Sequence, residues 1–463
     1  MPRPTPFEKW LQQPDASQEI ADWRPDAGLP VLVVGAGPAG LAGMAALRQA
    51  GIEFCGVESH SRVGGIWDQS NAISSIYEGL CTVTSRYTTH LGPPMPAEWP
   101  EYLPHERAHE YLSRFAEDQQ LLPCLRLNTS FVDAVKSPRG SWVAKLRPAA
   151  GEVYEQEFRG IVFATGAHNR KQAAYPGDLR EQALAAGVRV IHSAEYKSPA
   201  SLAGQRVLIV GIGNSGSDIA DKISSVAART LVSVRTTPWI NPQTAFGIPC
   251  DKLTADTPSW LPYWYRLSTF HVIRWLSVGG FRRLGMPRPR HSLNDRLPIG
   301  DRGIVEAIRS GRVVVRSGVT DLAGGVAKFS NPAHPPEPVD VVILATGFSR
   351  DYPLLCPPGT SIDDVANALS FLVFHQREPG LSYLAETVGF RGCWPVFGEQ
   401  ARTVAAYYRA AQEGKPNARR FAFRRALPTP DLKGALFRRA DTFHVDYDIY
   451  ERALRDLSEW FAA

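Results

Sequence analysis

Short apolar runs that stop at glycine recur along this chain and set its reading. Leu29 to Val34 is such a run, as expected of a strand buried on both faces. Helical spacing follows over Leu41 to Ala50 and ends at Gly51, and Glu53 to Glu58 predicts a second strand. Residues 105–122 place Tyr111, Leu112, Phe115 and Leu121 at helical intervals. Residues 123–148 predict a strand pair with Pro and Gly at the turns. Gly160 to Gly166, GIVFATG, predicts another buried strand.

After Pro176 the pattern restarts. Residues 205–210 predict a strand, 214–228 a helix and Thr230 to Arg235 a second strand. RVVVRSGV, from Arg312, is a further strand, and VDVVILATG, residues 339–347, repeats the earlier ATG pattern. Helices are expected over 398–413 and 447–462. Alternating strands and helices predict an α/β fold. The aromatic stretch 255–286 holds Trp260, Tyr263, Trp264, Tyr265, Phe270, Trp275 and Phe281. It reads as a packing element of the second unit, with a substrate tunnel or a membrane-facing surface as the alternatives.

Length and composition narrow the class. At about 150 residues per domain, 463 residues make two to three domains, and 44% apolar with 21% charged residues suits a globular core. A net charge of +5 with scattered Lys and Arg leaves no nucleic-acid footprint. Cys55, Cys81, Cys124, Cys250, Cys356 and Cys393 form no CxxC pair, which argues against a metal knot or a redox dithiol and fits a reducing cytoplasm. The polar start predicts no signal peptide, and no apolar run is long enough to predict a membrane span. The histidines at 90, 105 and 109 lack metal-ligand spacing, so no metal is expected.

Two turns carry the chemistry. VLVVGAGPAGLAGM, residues 31–44, and VLIVGIGNSGSDIA, residues 207–220, are both strand, GxGxxG, helix. In each the first glycine allows the tight turn, the second admits a pyrophosphate and the third lets helix pack on strand. The phosphates belong at the helix start, where free N–H groups favour an anion. Glu58 closes the strand after the first turn, where a carboxylate accepts ribose hydroxyls and repels a 2′-phosphate, so that turn suits FAD or NAD. The matching position after the second turn is Val234, followed by Arg235, which suits a 2′-phosphate and hence NADPH; a solvated surface arginine is the alternative. Two different dinucleotides on one chain point to hydride transfer from a nicotinamide to a flavin.

These residues carry a resemblance. RVGGIW (62–67), GNSGSDIA (213–220), FATGAH (163–168), LATGFSRDYP (344–353) and VFGEQARTVAAYY (396–408) resemble segments of the flavin-containing monooxygenases, within the class B flavoprotein monooxygenases, over about residues 30 to 413. The resemblance implies a two-dinucleotide-binding-domain flavoprotein. Its Rossmann-like FAD domain spans 1–175 and 333–463, with a Rossmann-like NADPH domain, 176–332, inserted. It implies cofactor contacts from Gly35, Gly37, Pro38, Ala39, Gly40 and Glu58, from Gly65, Ile66 and Trp67, and from Val132, Thr165 and Gly166. Gly211, Gly213, Asn214, Ser215, Gly216, Arg235 and Thr236 would serve the second dinucleotide, with Thr346, Gly347 and Gln400 completing the set. Trp67 reads equally as a core tryptophan, and Gln400 as a polar residue of a helix N-terminus. His168 would be a linker contact.

The family's FxGxxxHxxx(Y/F/W) motif is half kept in AGVRVIHSAEY, residues 186–196, where His192 and Tyr196 match. His192 reads as a hinge residue that moves with NADPH, or as a structural histidine. The flavin-side segment is LCTVTSR, residues 80–86, and Val83 stands where the family has asparagine. Valine donates no hydrogen bond, which leaves Thr82, Thr84 or Ser85 to offer a hydroxyl. The implied activity is an FAD- and NADPH-dependent monooxygenase that uses O2 and a C4a-hydroperoxyflavin to oxygenate sulfur or nitrogen in a small or medium organic substrate. Ketone or indole oxygenation, a poorly coupled NADPH oxidase and a flavin-bound redox sensor stay open, as does a homodimer.

Overall fold

Val31–Val34 is four buried apolar residues, and buried backbone must find its hydrogen bonds in neighbouring strands. It pairs in parallel with Phe54–Val57 on one side and Gly160–Phe163 on the other. A computed structural model of the chain describes residues 4–15, 26–166, 170–171, 178–257, 261, 263–293, 295–349, 352–357, 360–384, 387–433 and 443–463. The chain forms two units. The first comprises Met1–Ala72, Ser85–Ala167 and Asp351–Ala463, and the second Ile73–Thr84 and His168–Arg350.

In the first unit the sheet has seven strands, in the order Leu369–Ser370, Phe374–His375, Leu381–Tyr383, Gly160–Phe163, Val31–Val34, Phe54–Val57, Leu125–Arg126. The run from Leu381–Tyr383 to Leu125–Arg126 is parallel. The helix Pro38–Gln49 follows the first strand and packs against Trp394–Gln412. The expected strand pair is an antiparallel meander of three strands, Thr129–Lys136, Trp142–Pro148 and Tyr154–Phe158. The sequence reading did not anticipate the helix Pro6–Gln12. It is closed by a Thr5–Glu8 capping box and buries Trp10 against Phe371, Phe421 and Trp460.

In the second unit five parallel strands run in the order Val313–Ser317, Arg229–Val234, Arg206–Val210, Val341–Leu344, Arg189–His192. The helix Asn214–Ile223 follows Arg206–Val210. Each ATG strand lies beside its own glycine-turn strand, Gly160–Phe163 next to Val31–Val34 and Val341–Leu344 next to Arg206–Val210. Measured against the expected spans, residues 73–84, 170–171 and 333–349 fall with the second unit. The second ATG strand goes there because its backbone bonds to Val207–Val210.

The third glycines do what their spacing requires. A Cβ on Gly40 would overlap the carbonyl oxygen of Gly35, and one on Gly216 that of Gly211, so each helix can start against its own strand only without a side chain there. The aromatic stretch resolves into the helix Tyr263–Val278 and the turn Phe281–Leu284. Val278 and Phe281 are buried, and Arg274 lies over the rings of Trp239 and Phe281 at 5.0 and 5.3 Å. Packing accounts for only part of that helix, since Tyr265, Val272, Trp275 and Leu276 are exposed. Trp260 and His168 lie outside the described residues. Among the described residues no helix is long and apolar enough to cross a membrane, and no cluster of three or more His, Cys, Asp or Glu side chains is arranged for a metal.

His375, in the antiparallel edge of the first sheet, is buried, and its Nδ1 accepts from the amides of Arg377 and Glu378 at 3.1 Å each. Burial pushes its pKa down from 6.5 to about 4, so the native state holds it neutral. The contribution to stability is full above pH 6.5 and is lost as pH falls toward 4. Denaturant unfolding should therefore show a midpoint that drops over that window. In His375→Asn, which keeps an acceptor but cannot be protonated, the drop should flatten.

Candidate functional site: two anion-binding turns

At the first turn the helix Pro38–Gln49 begins at Gly37, whose backbone is extended and which offers no side-chain cap. Proline at the first helical position costs nothing, because its missing N–H would be unpaired there. The next strand ends at Glu58, which is buried. Its Oε2 accepts from the Ala36 amide at 2.7 Å, while Oε1 accepts from the His60 amide at 2.9 Å and the Ser59 hydroxyl at 3.1 Å. A carboxylate has about four lone-pair sites, so Glu58 holds the turn's own backbone and keeps capacity for a further donor.

The Gly64–Gly65 loop forms one side of this turn. The Gly64 amide donates to the Ala36 carbonyl at 2.9 Å, and a Cβ on Gly37 would meet the Gly65 Cα at 3.6 Å. Three side chains fix the loop. The His109 ring donates to the Val63 carbonyl at 3.0 Å, the Asn71 amide donates to the Gly65 carbonyl at 3.2 Å, and Asp68 receives the Ser70 amide and hydroxyl at 3.0 and 2.8 Å. Burial opposes ionisation of Asp68. The Ser70 bonds and the Arg62 charge outweigh it and hold the carboxyl below its ordinary range. The sequence reading weighed His109 only as a metal ligand and missed this role, since it lies 44 residues beyond Gly65; it missed Asp68 too, whose one signal is its place three residues after the GG pair.

The other expected first-site residues fall into two sets. Ala39 is buried in the first helical turn, and Thr165 and Gly166 follow the ATG strand, with the Thr165 amide 3.7 Å from the Cβ position of Gly35. Ile66 and Trp67 belong to the short helix Gly65–Trp67, where the half-buried Trp67 ring meets Trp394 edge-on at 5.9 Å. Val132 is 41% exposed at a register shift in Thr129–Lys136, a strand whose Thr129 amide donates to the Glu58 carbonyl at 2.8 Å. Gln400 is not at a helix N-terminus. The helix begins at Trp394, and the fully buried Gln400 amide donates to the Tyr450 hydroxyl at 3.0 Å.

At the second turn, Gly213 caps Asn214–Ile223, again without a side-chain acceptor. Gly213, Asn214 and Ser215 are exposed, and a Cβ on Gly213 would meet nothing within 4 Å. Asn214 Oδ1 accepts from the Gly300 amide at 3.1 Å, which ties the strand Ile299–Asp301 to the helix start. Arg235 and Thr236 are exposed at the end of Arg229–Val234, with the Arg235 Cβ 3.8 Å from the Cβ position of Gly318. His192 is buried at the end of Arg189–His192. Its Nδ1 accepts from the Ala194 amide at 3.2 Å and its Nε2 donates to the Gly347 carbonyl at 3.0 Å. Both ring nitrogens thus hold backbone, one of them in the turn after Thr346.

Residues 82–84, expected on the flavin side, belong to the second unit. Thr82 is buried, Thr84 half-buried, and Val83 is 42% exposed with its Cγ1 3.7 Å from the Cβ position of Gly300. Tyr196 is buried, its ring 5.1 Å from that of Tyr77 and its hydroxyl without a hydrogen-bond partner.

Two nucleotide-type turns, one in each of two largely parallel sheets, define a class of fold, and comparison with known proteins identifies the family. The flavin-binding monooxygenase-like family matches residues 29–377, and the chain belongs to it. The chain is 26% identical over 341 residues to human flavin-containing monooxygenase 5, covering 70% of this chain and 63% of that protein, so it spans less than two thirds of that relative. It is 28% identical over 338 residues to the probable indole-3-pyruvate monooxygenase YUCCA8 of Arabidopsis thaliana, covering 70% of this chain and 75% of the relative. In fold it is similar to the S-allyl-L-cysteine S-oxygenase of Allium sativum, with a TM-score of 0.61 at 18% identity over 93% and 88% of the two chains.

Because Glu58 buckles the first turn through the Ala36 amide, Glu58→Ala strands a buried donor, at a cost of about 1–3 kcal/mol. The expected outcome is a lower melting temperature together with loss of flavin on gel filtration, read by the absorbance ratio of flavin to protein. Glu58→Gln, which keeps an acceptor, should lose less of both.

Proposed function

We propose that the protein is a monooxygenase that binds FAD at the first turn and NADPH at the second, and that it oxygenates sulfur or nitrogen in a small or medium organic substrate. The observation that carries this reading is the difference between two otherwise matching turns, a buried carboxylate, Glu58, after one and an exposed cation, Arg235, after the other. The residues present fit the two groups. Both helix starts offer N–H groups without a side-chain acceptor, and the space in front of Gly213 is open.

In this reading Gly35, Gly37, Pro38, Ala39 and Gly40 cradle the FAD pyrophosphate, and the Gly65–Trp67 segment flanks it. Glu58 accepts ribose hydroxyls with the lone pair its backbone bonds leave over. Gly211, Gly213, Asn214, Ser215 and Gly216 receive the NADPH pyrophosphate, and Arg235 and Thr236 take the 2′-phosphate. Thr165, Gly166, Thr346 and Gly347 form the turns that follow each ATG strand, the second held by His192. The bound flavin supplies two-electron acceptance from the nicotinamide and reactivity toward O2. The oxygen donor that the resemblance implies is part of the same proposal.

Val83 favours a second reading. A valine side chain offers no hydrogen-bond donor, so Thr82 and Thr84 carry whatever donor function this segment has. A chain that protects its oxygenating state poorly would consume NADPH and release peroxide. The deciding experiment follows NADPH oxidation, oxygen uptake, peroxide and product together on flavin-loaded protein, with thioether, tertiary amine, ketone and indole probes. Sulfoxide or N-oxide formed in step with NADPH supports the first reading. Peroxide equal to NADPH with every probe supports the second, ester or hydroxyindole shifts the substrate class, and a protein that takes up no flavin overturns both.

Arg235→Ala should raise KM for NADPH by about tenfold or more, since a charge-assisted phosphate bond contributes about 1.5–3 kcal/mol. KM for NADH should stay unchanged. Equal effects on the two cofactors in steady-state kinetics would remove Arg235 from the 2′-phosphate site.

A further inference from the structure

Residues 73–84 leave the first unit and pack with the second. The bonds that hold them there centre on one buried pair. The Tyr77 hydroxyl donates to Asp218 Oδ2 at 2.5 Å, with both residues 3% exposed. Asp218 is the fifth residue of Asn214–Ile223, the helix whose start forms the second anion site. Its charge is balanced by Arg302 Nε at 3.5 Å and Lys222 Nζ at 3.9 Å. Burial first, and then the Asp218 charge, push the Tyr77 pKa far above its ordinary value, so the phenol stays a donor. A hydrogen bond with an ionised acceptor is roughly twice as strong as a neutral one.

A second clamp lies beside it. Lys197 Nζ donates to the carbonyls of Ser74 and Ile76 at 2.8 and 3.1 Å, and the Glu78 amide donates to the Lys197 carbonyl at 2.9 Å. Ser198 Oγ donates to Glu78 at 2.7 Å. The contacts close into a ring. Asn214, at the helix start, holds Gly300; Arg302, two residues on, faces Asp218; Asp218 holds Tyr77; and Val83, at the far end of the strap, stands over Gly300. A ligand that fixes the helix start therefore acts on the strap by two routes, through Gly300 to Val83 and through Asp218 to Tyr77.

We infer that Tyr77 and Asp218 are positioning residues that lock the strap 73–84 to the second-turn helix, so that dinucleotide bound at that turn orders Thr82, Val83 and Thr84. The coupling rests on the assignment of NADPH to the second turn, and the test separates the two. Hydrogen–deuterium exchange is measured by mass spectrometry on flavin-loaded protein with and without NADP+. In the parent, NADP+ should slow exchange of amides 79–84 about tenfold, together with 211–216. In Tyr77→Phe, exchange over 73–84 without nucleotide should rise about tenfold, and NADP+ should protect 211–216 but no longer 79–84.

Tyr196→Phe deletes a neighbouring buried hydroxyl that has no partner, and its strap should exchange as the parent does. Asp218→Asn keeps an acceptor for Tyr77 but removes the charge, and its strap should fall between the parent and Tyr77→Phe. The inference is overturned if NADP+ protects 211–216 of the parent and leaves 79–84 unchanged, or if Tyr77→Phe exchanges like the parent. Should NADP+ protect no part of the second unit, the second-turn assignment fails. The lock itself is then decided by the nucleotide-free exchange of Tyr77→Phe.

Discussion

The helices Pro38–Gln49 and Asn214–Ile223 begin with backbone N–H groups that no side chain caps, and much of the architecture of each unit fixes where its own donors stand. Uncapped donors at a helix start carry roughly half a positive charge. Leaving them open is a cost to folding that only an anion offsets well. The surrounding design protects the geometry. Gly40 and Gly216 let each helix start against its own strand, and a parallel neighbour on either side keeps that strand in place. Glu58 and Asn214 then fasten the turn to what lies beside it.

Two copies of one device differ in the charge set next to them, and the rest of each unit elaborates that difference. Glu58 is buried and already holds three donors, so it is part of the turn itself and keeps one lone-pair site over. Arg235 stands exposed past the end of its strand. A carboxylate built into the scaffold and a cation added at its edge are unequal investments. The first cannot change without deforming the fold, and the second can. If Arg235 takes the 2′-phosphate as proposed, preference between the two nicotinamide cofactors is the more adjustable property of this chain.

The fold is legible in the sequence where local forces decide. The strands beside both turns, the helices after them and the long helix 447–462 follow from apolar runs, glycine stops and helical spacing. What escaped was set by distant partners. The helix Trp394–Gln412 starts four residues before the expected 398, because Trp394 and Pro395 begin it, and Gln400 is thereby moved inside. Nothing near Tyr77 in sequence reveals that its partner is Asp218, and that bond is one of several that tie residues 73–84 to the second unit. The second ATG strand was placed one domain too late, because its pairing with Val207–Val210 is invisible to a reading of consecutive residues. The aromatic stretch was understood only on its inner face, since periodicity cannot tell a covered aromatic from an exposed one.

The interleaving of the units also constrains how the molecule is made. Synthesis runs from the first residue onward, and domains tend to fold as their chain emerges. The five-stranded sheet of the second unit has all its strands once Leu344 is made, with the strap 73–84 long since available. The first unit still lacks Leu381–Tyr383, the strand that flanks Gly160–Phe163. The helix Pro6–Gln12 waits longest. Arg424 donates to the Trp10 carbonyl from 414 positions away, and Trp460 covers its ring. A helix made before both glycine turns thus finds the partners of its tryptophan only after nearly all of the described chain has been made.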